Sequence, residues 1–389
     1  MKEFFKNFDY LLALAVMALC AFGVLMIYSS ANAHATPISR QLIDGGFWRS
    51  QLLFVVTGTV LMLAFSVIDY RFITRFYLYI YALMLVLLVL VLIIGGDDGT
   101  GVTRWFRIEN LPVVGTIGIQ PSEFAKVFII LFLAKLLDVK QERFNHIGWL
   151  AVIFLAVGVT LTLVMWQRAL SATMVILVIS LVVVFTAGLY YRTIFIGLLI
   201  LLPIAAFIWL DIQRADPLFI HHILEPYQML RIRTALDPYA ASPDDMLQLE
   251  GSLYAIGTGG LTGRGFLNNP HVIFGHNDFI FAVIASQFGF AGASVVLGVL
   301  AFIIIKCIFI ALRAEDVTGR LIAAGVAGML IFETFVHVGV GVGLLPVTGM
   351  PLPFLSSGGS MIWGHMMAMG LVLNISLPRE KPFFYENTL

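Results

Sequence analysis

Charge is scarce in this sequence. Asp, Glu, Lys and Arg make up 12% of its 389 residues, and 23 basic and 23 acidic side chains cancel to a net charge of zero. Such a balance excludes the basic footprint that nucleic acid requires, so no nucleic-acid partner is expected. Cysteine is scarcer still. Cys20 and Cys307 stand apart inside apolar runs, which excludes a disulfide framework or a thiolate metal site and leaves them as small buried residues. MKEFFKNFDY leads into an apolar run with no small-residue cleavage site behind it, so that run is expected to be retained. Repeats of solenoid period and inverted pairs of broken helices are also lacking. What is plentiful is apolar: 60% of residues are hydrophobic and the mean hydropathy is +0.97, which excludes a water-soluble globule with a polar shell.

The sequence is therefore read as an all-α, polytopic membrane protein. A helix needs roughly 17–25 apolar residues to cross a ~30 Å hydrocarbon layer. Ten such windows fall at about 10–30, 49–68, 76–94, 121–137, 147–166, 169–187, 193–210, 291–312, 321–345 and 361–377. With the N-terminus inside, the inner segments hold eleven basic residues and the short outer loops five, none of them lysine, which predicts cytoplasmic N- and C-termini. The whole chain, 1–389, reads as a single transmembrane domain with two long outer segments, 95–120 and 211–277. An amphipathic helix is predicted near 244–256, closed by a Gly-rich turn. Residues 278–312 would make a helix of ~50 Å, too long for one crossing. A break at Gly289 and Gly292 is expected, leaving a separate half-buried helix before the eighth span, with Asp278 in its first turn.

Several constellations bear on chemistry, each with a plainer alternative. Pro121 suits a helix start, and Glu123 and Lys126 then share one face inside the membrane, as a functional ion pair or as a structural pair with Lys126 snorkelling outward. Asp278 follows Asn277 at a helix start, so it either caps the helix or does chemistry among the apolar walls of Phe274, Phe279 and Ile280. GTGGLTGRG resembles a phosphate loop but lacks the Lys-Ser or Lys-Thr that a Walker motif needs, and as a tight turn it requires no ligand. Ser356 to Ser360 open the last span, either as an anion-binding helix start or as plain caps. Glu333 and His337, four apart, are a proton or metal pair or hydrogen-bond to neighbouring helices.

Taken in order, RWF…IQPSEFAK, LDPY, AIGTGGLTGRGF, HNDFIFAVI…FGF and GLLPVTGMPLPFLSSGGS resemble the shape, elongation, division and sporulation (SEDS) family, typified by RodA and FtsW, over residues 10 to 377. The resemblance implies a peptidoglycan glycosyltransferase that polymerises lipid II, an undecaprenyl-diphosphate-linked disaccharide-peptide, at the outer face of the bacterial cytoplasmic membrane. It implies a monofunctional class B penicillin-binding protein as partner, membrane lipid as surroundings, and a RodA-like role in elongation ahead of division or sporulation. The family's Glu-His-Thr-Asp-Phe-Ile-Phe falls on Gly275, His276, Asn277, Asp278, Phe279, Ile280 and Phe281, making Asp278 the catalytic candidate. Arg104, Gln120, Glu123 and Lys126 would line the cavity, with His276 beside the aspartate and Ser357, Gly358, Gly359 and Ser360 near the mouth.

The chemistry suits that expectation. No ATP is available outside the cytoplasm, so the bond energy arrives with a polyprenyl diphosphate donor. The attacking hydroxyl needs a base, Asp278, while the departing diphosphate needs cations: Lys126 and Arg104, aided by Arg264 or by a divalent cation, Mg or Mn. Departures from the family pattern are also present. Its Pro-Asp-Leu-Gly-Thr is Arg168 to Ala172 here, its Glu-Glu after the aspartate motif is Ser286 and Gln287, its Tyr in Ser-Tyr-Gly-Gly is Ser357, and a frequent Gln and Asn in helix nine are Glu333 and His337. Two alternatives stand beside the polymerase: a lipid II flippase, and an inactive scaffold for a transpeptidase.

Overall fold

The structure, a computed structural model, describes residues 7–32, 46–97, 103–111, 115–141, 145–214, 226–236, 243–268, 272 and 275–377. Helices α1 (Tyr10–Asn32), α2 (Phe47–Val67), a short α3 (Tyr70–Thr74) and α4 (Tyr77–Ile94) come first. Three strands follow, β1 (Gly96–Asp97), β2 (Thr103–Leu111) and β3 (Gly115–Ile119), then α5 (Pro121–Val139), α6 (Ile147–Trp166), α7 (Leu170–Thr186) and α8 (Tyr191–Ile212). The chain continues through α9 (Pro226–Leu236), α10 (Pro243–Gly259), α11 (Ile280–Arg313), α12 (Val317–Gly341) and α13 (Gly359–Ile375).

It is an all-α polytopic membrane protein. Among the described residues six helices are long and apolar enough to cross a membrane: α1, α2, α4, α6, α11 and α12. The remaining windows expected as spans are also helical, in α5, α7, α8 and α13. Two of these, α7 and α13, are apolar but shorter, while α5 carries Glu123, Lys126, Lys135 and Asp138. Exposed Leu78, Leu83, Val86, Val89, Ile93 and Ile94 along α4 give it the apolar outer surface of a lipid-facing helix.

The most enclosed helices are α13, buried along nearly its whole length, and α5 and α12, buried over most of theirs. Small residues let them pack closely. A Cβ at Gly370 of α13 would lie 2.5 Å from the Met62 carbonyl oxygen of α2, so only glycine permits that crossing. At the end of α13, Asn374 accepts from the Tyr70 N–H at 3.0 Å and donates to the Ser66 carbonyl at 2.6 Å, closing the α2–α3 turn. Nearby, Arg71 pairs with Asp316 at 2.8 Å, and Asp316 caps α12 through the Gly319 N–H.

Three details differ from the sequence expectations. The long segment after α4 folds into an antiparallel sheet of order β1-β2-β3 and enters α5 through Gln120 with Pro121 in the first turn; short strands in a Gly-rich stretch carry too little periodicity to be read. A further helix, α9, precedes the expected amphipathic one, which extends to α10. The segment before the eighth span is enclosed rather than half-buried: Ile280 to Gln287 are all buried.

The expected break in α11 is at Gly289, with φ 66° and ψ −167°, whereas Gly292 continues the helix. The Gly-rich turn after α10 wraps this break. Phe290 N–H donates to Gly260 O at 2.8 Å and Ala291 N–H to Leu261 O at 3.1 Å, while Arg264 and Gly265 N–H groups donate to Ser286 and Gln287 carbonyls at 2.9 and 3.0 Å. Interrupting a helix inside a protein frees backbone groups that must find partners, and here one loop supplies them. Gly263 is required twice over, by a φ of 83° and because a Cβ would lie 2.2 Å from the Gln287 carbonyl oxygen. Gly263→Ala is therefore expected to destabilise the purified protein by about 2 kcal/mol or more, seen as a lowered thermal midpoint. Gly257→Ala, on an open face of α10 with nothing within 4 Å, should leave the midpoint unchanged or raised.

Candidate active site

Asp278 lies in the turn Gly275–Phe279 that leads into α11. It does not cap the helix: the N-cap position is Phe279, and no side chain bonds the first-turn N–H groups there. The capping alternative therefore falls away, and the carboxylate is left half-buried above fully buried Phe279 and Ile280. Burial pushes its pKa above the ordinary carboxylate value, opposed by the positive charges of Arg231 and Arg104.

Those two arginines come from different elements. Arg104 is on β2, and its Nε is buried without a hydrogen-bond partner. Arg231 is on α9, donating Nη1 to the Val347 carbonyl at 3.4 Å. It was not singled out in the sequence. Gly349, at φ 70°, sits between it and the aspartate: a Cβ there would lie 3.6 Å from Asp278 Oδ2 and 3.9 Å from Arg231 Nη1. The Asp278 carboxylate and the Arg231 guanidinium thus flank one short stretch of backbone.

The segment before α13 holds the Asp278 turn in place. Ser357 N–H donates to His276 O at 3.0 Å and Ser356 Oγ to Asn277 O at 2.8 Å. Gln51 of α2 clamps the same segment, donating to Ser356 O at 3.2 Å and accepting from Gly358 N–H at 3.1 Å. Gly359 rests against the Phe54 ring, with no room for a Cβ. Ser360 Oγ accepts from Gln120 N–H at 2.8 Å and donates to Gly118 O at 3.3 Å, tying α13 to the end of β3. Two amides of the expected anion cradle, on Ser357 and Gly358, are therefore already engaged with the protein. His276 stacks at 5.0 Å on Phe47, and burial lowers its pKa below the ordinary imidazole value, so the ring is neutral at pH 7.

Lys126 does not snorkel. It is 3% exposed, with Nζ 2.7 Å from Glu123 Oε2 and 2.7 Å from Glu333 Oε1. The contact to Glu123 is ionic rather than a well-aligned hydrogen bond. Its charge is already met by two carboxylates, a geometry that differs from the open phosphate contact expected of it. Glu333 and His337 do not pair: Glu333 also reaches His365 at 2.6 Å, and His337 Nδ1 lies 2.8 Å from the Met350 carbonyl. Arg264 is on the exposed Gly-rich turn, donating to Thr258 at 3.3 Å, and that turn's amides serve the α11 break rather than a phosphate.

Among the described residues no three His, Cys, Asp or Glu side chains converge as metal ligands. Among the described residues the charges acting on Asp278 are two guanidiniums, which repel a divalent cation, so these residues do not fit the Mg or Mn considered from the sequence. A single base facing two fixed cations suits removal of a proton beside a developing anion.

Residues 10–381 match the model of the FtsW, RodA and SpoVE family, described as cell cycle protein. The chain is 30% identical to the probable peptidoglycan glycosyltransferase FtsW of Bacillus subtilis, over 97% of this chain and 92% of that one. It is 32% identical to the peptidoglycan glycosyltransferase RodA of Treponema pallidum, over 95% and 98%. A solved structure described as coordinating polymerisation and crosslinking in a peptidoglycan synthase complex superposes with a TM-score of 0.74 at 28% identity, covering 95% of this chain and 97% of that one. With the match spanning nearly the whole chain, this protein belongs to the SEDS family of peptidoglycan glycosyltransferases.

Proposed function

We propose that this chain polymerises lipid II at the outer face of the cytoplasmic membrane, with Asp278 as general base. One observation carries the reading: a carboxylate free of any capping duty faces the charges of Arg104 and Arg231. Ten crossings, the six long apolar helices together with α5, α7, α8 and α13, would place both termini in the cytoplasm and the Asp278 turn outside.

In this mechanism Asp278 takes the proton of the acceptor GlcNAc 4-hydroxyl, whose oxygen attacks the anomeric carbon of the donor. The bond from that carbon to the diphosphate oxygen breaks, and the electron pair leaves with the undecaprenyl diphosphate. Arg104 and Arg231 meet the growing negative charge. Lys126 supports the same site from beneath, through Glu123 and Glu333. Attack opposite the leaving group inverts the α-linked donor to a β-1,4 linkage. One carboxylate suffices because a diphosphate, unlike a sugar alcohol, departs without being protonated.

A flippase would need polar groups running toward the other face. Instead α5 is apolar without exception from Val127 to Ala134, directly beyond Lys126. A class B penicillin-binding protein is the proposed partner, on the likeness to a synthase complex that polymerises and crosslinks. Identities of 30% to FtsW and 32% to RodA favour neither division nor elongation.

Three outcomes are expected when the purified chain, with its proposed partner, is given lipid II and glycan strands are followed on gels. Asp278→Asn should keep lipid binding and lose about 10²–10⁴-fold in polymerisation rate; a wild-type rate would remove Asp278 from the mechanism, and an inactive wild-type chain would point to a scaffold. The base works deprotonated and burial raises its pKa, so the acid limb of the pH–rate profile should lie above the ordinary carboxylate value of about 4. Arg231→Gln removes a charge that lowers this pKa and should move the limb to still higher pH; an unmoved limb would separate Arg231 from the base.

A further inference from the structure

Beneath the site, on α5, α12 and α13, four ionisable side chains form one buried cluster: Glu123, Lys126, Glu333 and His365. Their exposures are 8%, 3%, 0% and 2%. Water cannot screen such a cluster, so its net charge matters more than any one contact in it. Counted as two carboxylates, one ammonium and a neutral imidazole, the cluster would carry one uncompensated negative charge.

The hydrogen bonds of His365 exclude that count. Its Nδ1 lies 2.7 Å from the Met361 carbonyl oxygen, which can only accept, so Nδ1 carries a hydrogen. In a neutral ring Nε2 would then be an acceptor, yet it lies 2.6 Å from Glu333 Oε2, and an ionised carboxylate also only accepts. Two acceptors do not approach so closely. A proton must lie between them, and whichever atom it rests on, the four groups sum to zero.

The cluster touches the floor of the site at two points. His337, one helical turn above Glu333 on α12, bonds the Met350 carbonyl next to Gly349, and Gly349 adjoins both Asp278 and Arg231. On α13, Ser360, a little more than a turn before His365, anchors Gln120 at the start of α5, the helix that carries Glu123 and Lys126. Among the described residues no other titratable side chain pairs with the cluster: α5 contributes Glu123 and Lys126, α12 Glu333 with His337 above it, and α13 His365. The His365 ring packs at a steep angle, 5.4 Å between centroids, on Phe354 in the loop leading to the serines.

We propose that His365 is a positioning residue for polymerisation: the proton it shares with Glu333 holds the buried cluster neutral and keeps α5, α12 and α13 registered beneath Gly349 and Ser360. It touches no substrate. It acts by keeping Glu333 in the geometry that fixes Lys126, and a side chain of similar size without the proton would not replace it. The activity readout rests on the polymerase reading above; the neutrality of the cluster does not.

The test is a double-mutant cycle on the full-length chain with His365→Gln, Glu333→Gln and the two together, following glycan synthesis from lipid II and the thermal midpoint. His365→Gln keeps a donor for Glu333 but loses the shared proton, and should cut polymerisation about ten-fold or more and lower the midpoint. Glu333→Gln removes one negative charge and the need for that proton while keeping an oxygen for Lys126, and should lose clearly less of both than His365→Gln. The decisive outcome is the double variant: recovery to the level of Glu333→Gln in both readouts supports charge balance, because packing lost at position 365 would not return. A double variant no better than His365→Gln, or a His365→Gln protein equal to wild type in both readouts, overturns the proposal. Should wild type itself make no glycan, the polymerase reading fails and the midpoints alone decide on the cluster; should His365→Gln fail to fold, recovery of folded protein in the double variant decides in the same sense.

Discussion

A helix interrupted inside a membrane protein must hand its freed backbone groups to something other than water, and the site depends on how that is met at Gly289. The loop from Gly259 to Gly265 bonds both sides of the interruption, supplying carbonyls to Phe290 and Ala291 and amides to Ser286 and Gln287. That closure lets Ile280–Gln287 lie enclosed in the protein while the rest of α11 runs on as a span. The turn carrying Asp278 is then held between this buried segment and the serines ahead of α13, with no freedom to fold back as a cap.

Electrostatics follows from that placement. A carboxylate among buried phenylalanine and isoleucine pays a desolvation cost, and Arg104 and Arg231 offset part of it. Neither arginine belongs to the helix that bears the aspartate, so sheet, loop helix and broken span must all be in place before the three charges meet. Deeper in the bundle the same scarcity of charge is managed differently. Glu123, Lys126, Glu333 and His365 meet one another's charges within the buried interior.

Much of this was legible in the sequence because hydropathy and length report directly on a bilayer. The six long apolar helices fall close to their expected windows, and the break in α11 followed from a run too long for one crossing. Asp278 could be named, but its capping alternative could be dismissed only once Phe279 was seen at the helix start without a side-chain cap. Arg231 escaped notice because its partners are distant in sequence; the apolar-basic pattern LRIR was the sole local sign. His365 escaped for a similar reason, as a lone histidine in an apolar helix says nothing of the carboxylate 32 positions earlier that meets it. Snorkelling, the plainer of the two readings of Lys126, fails because Glu333 lies on a neighbouring helix. Glycines that suggested a phosphate loop turned out to serve close backbone contact, which sequence cannot distinguish from a ligand cradle.

The most direct measurement of the central claim is an experimental structure of the Asp278→Asn chain bound to undecaprenyl diphosphate and an acceptor disaccharide. The account predicts diphosphate oxygens within hydrogen-bond reach of Arg104 and Arg231, and the acceptor hydroxyl against the side chain at position 278. A diphosphate seated away from both guanidiniums, or a side chain at 278 turned from the bound sugar, would contradict it.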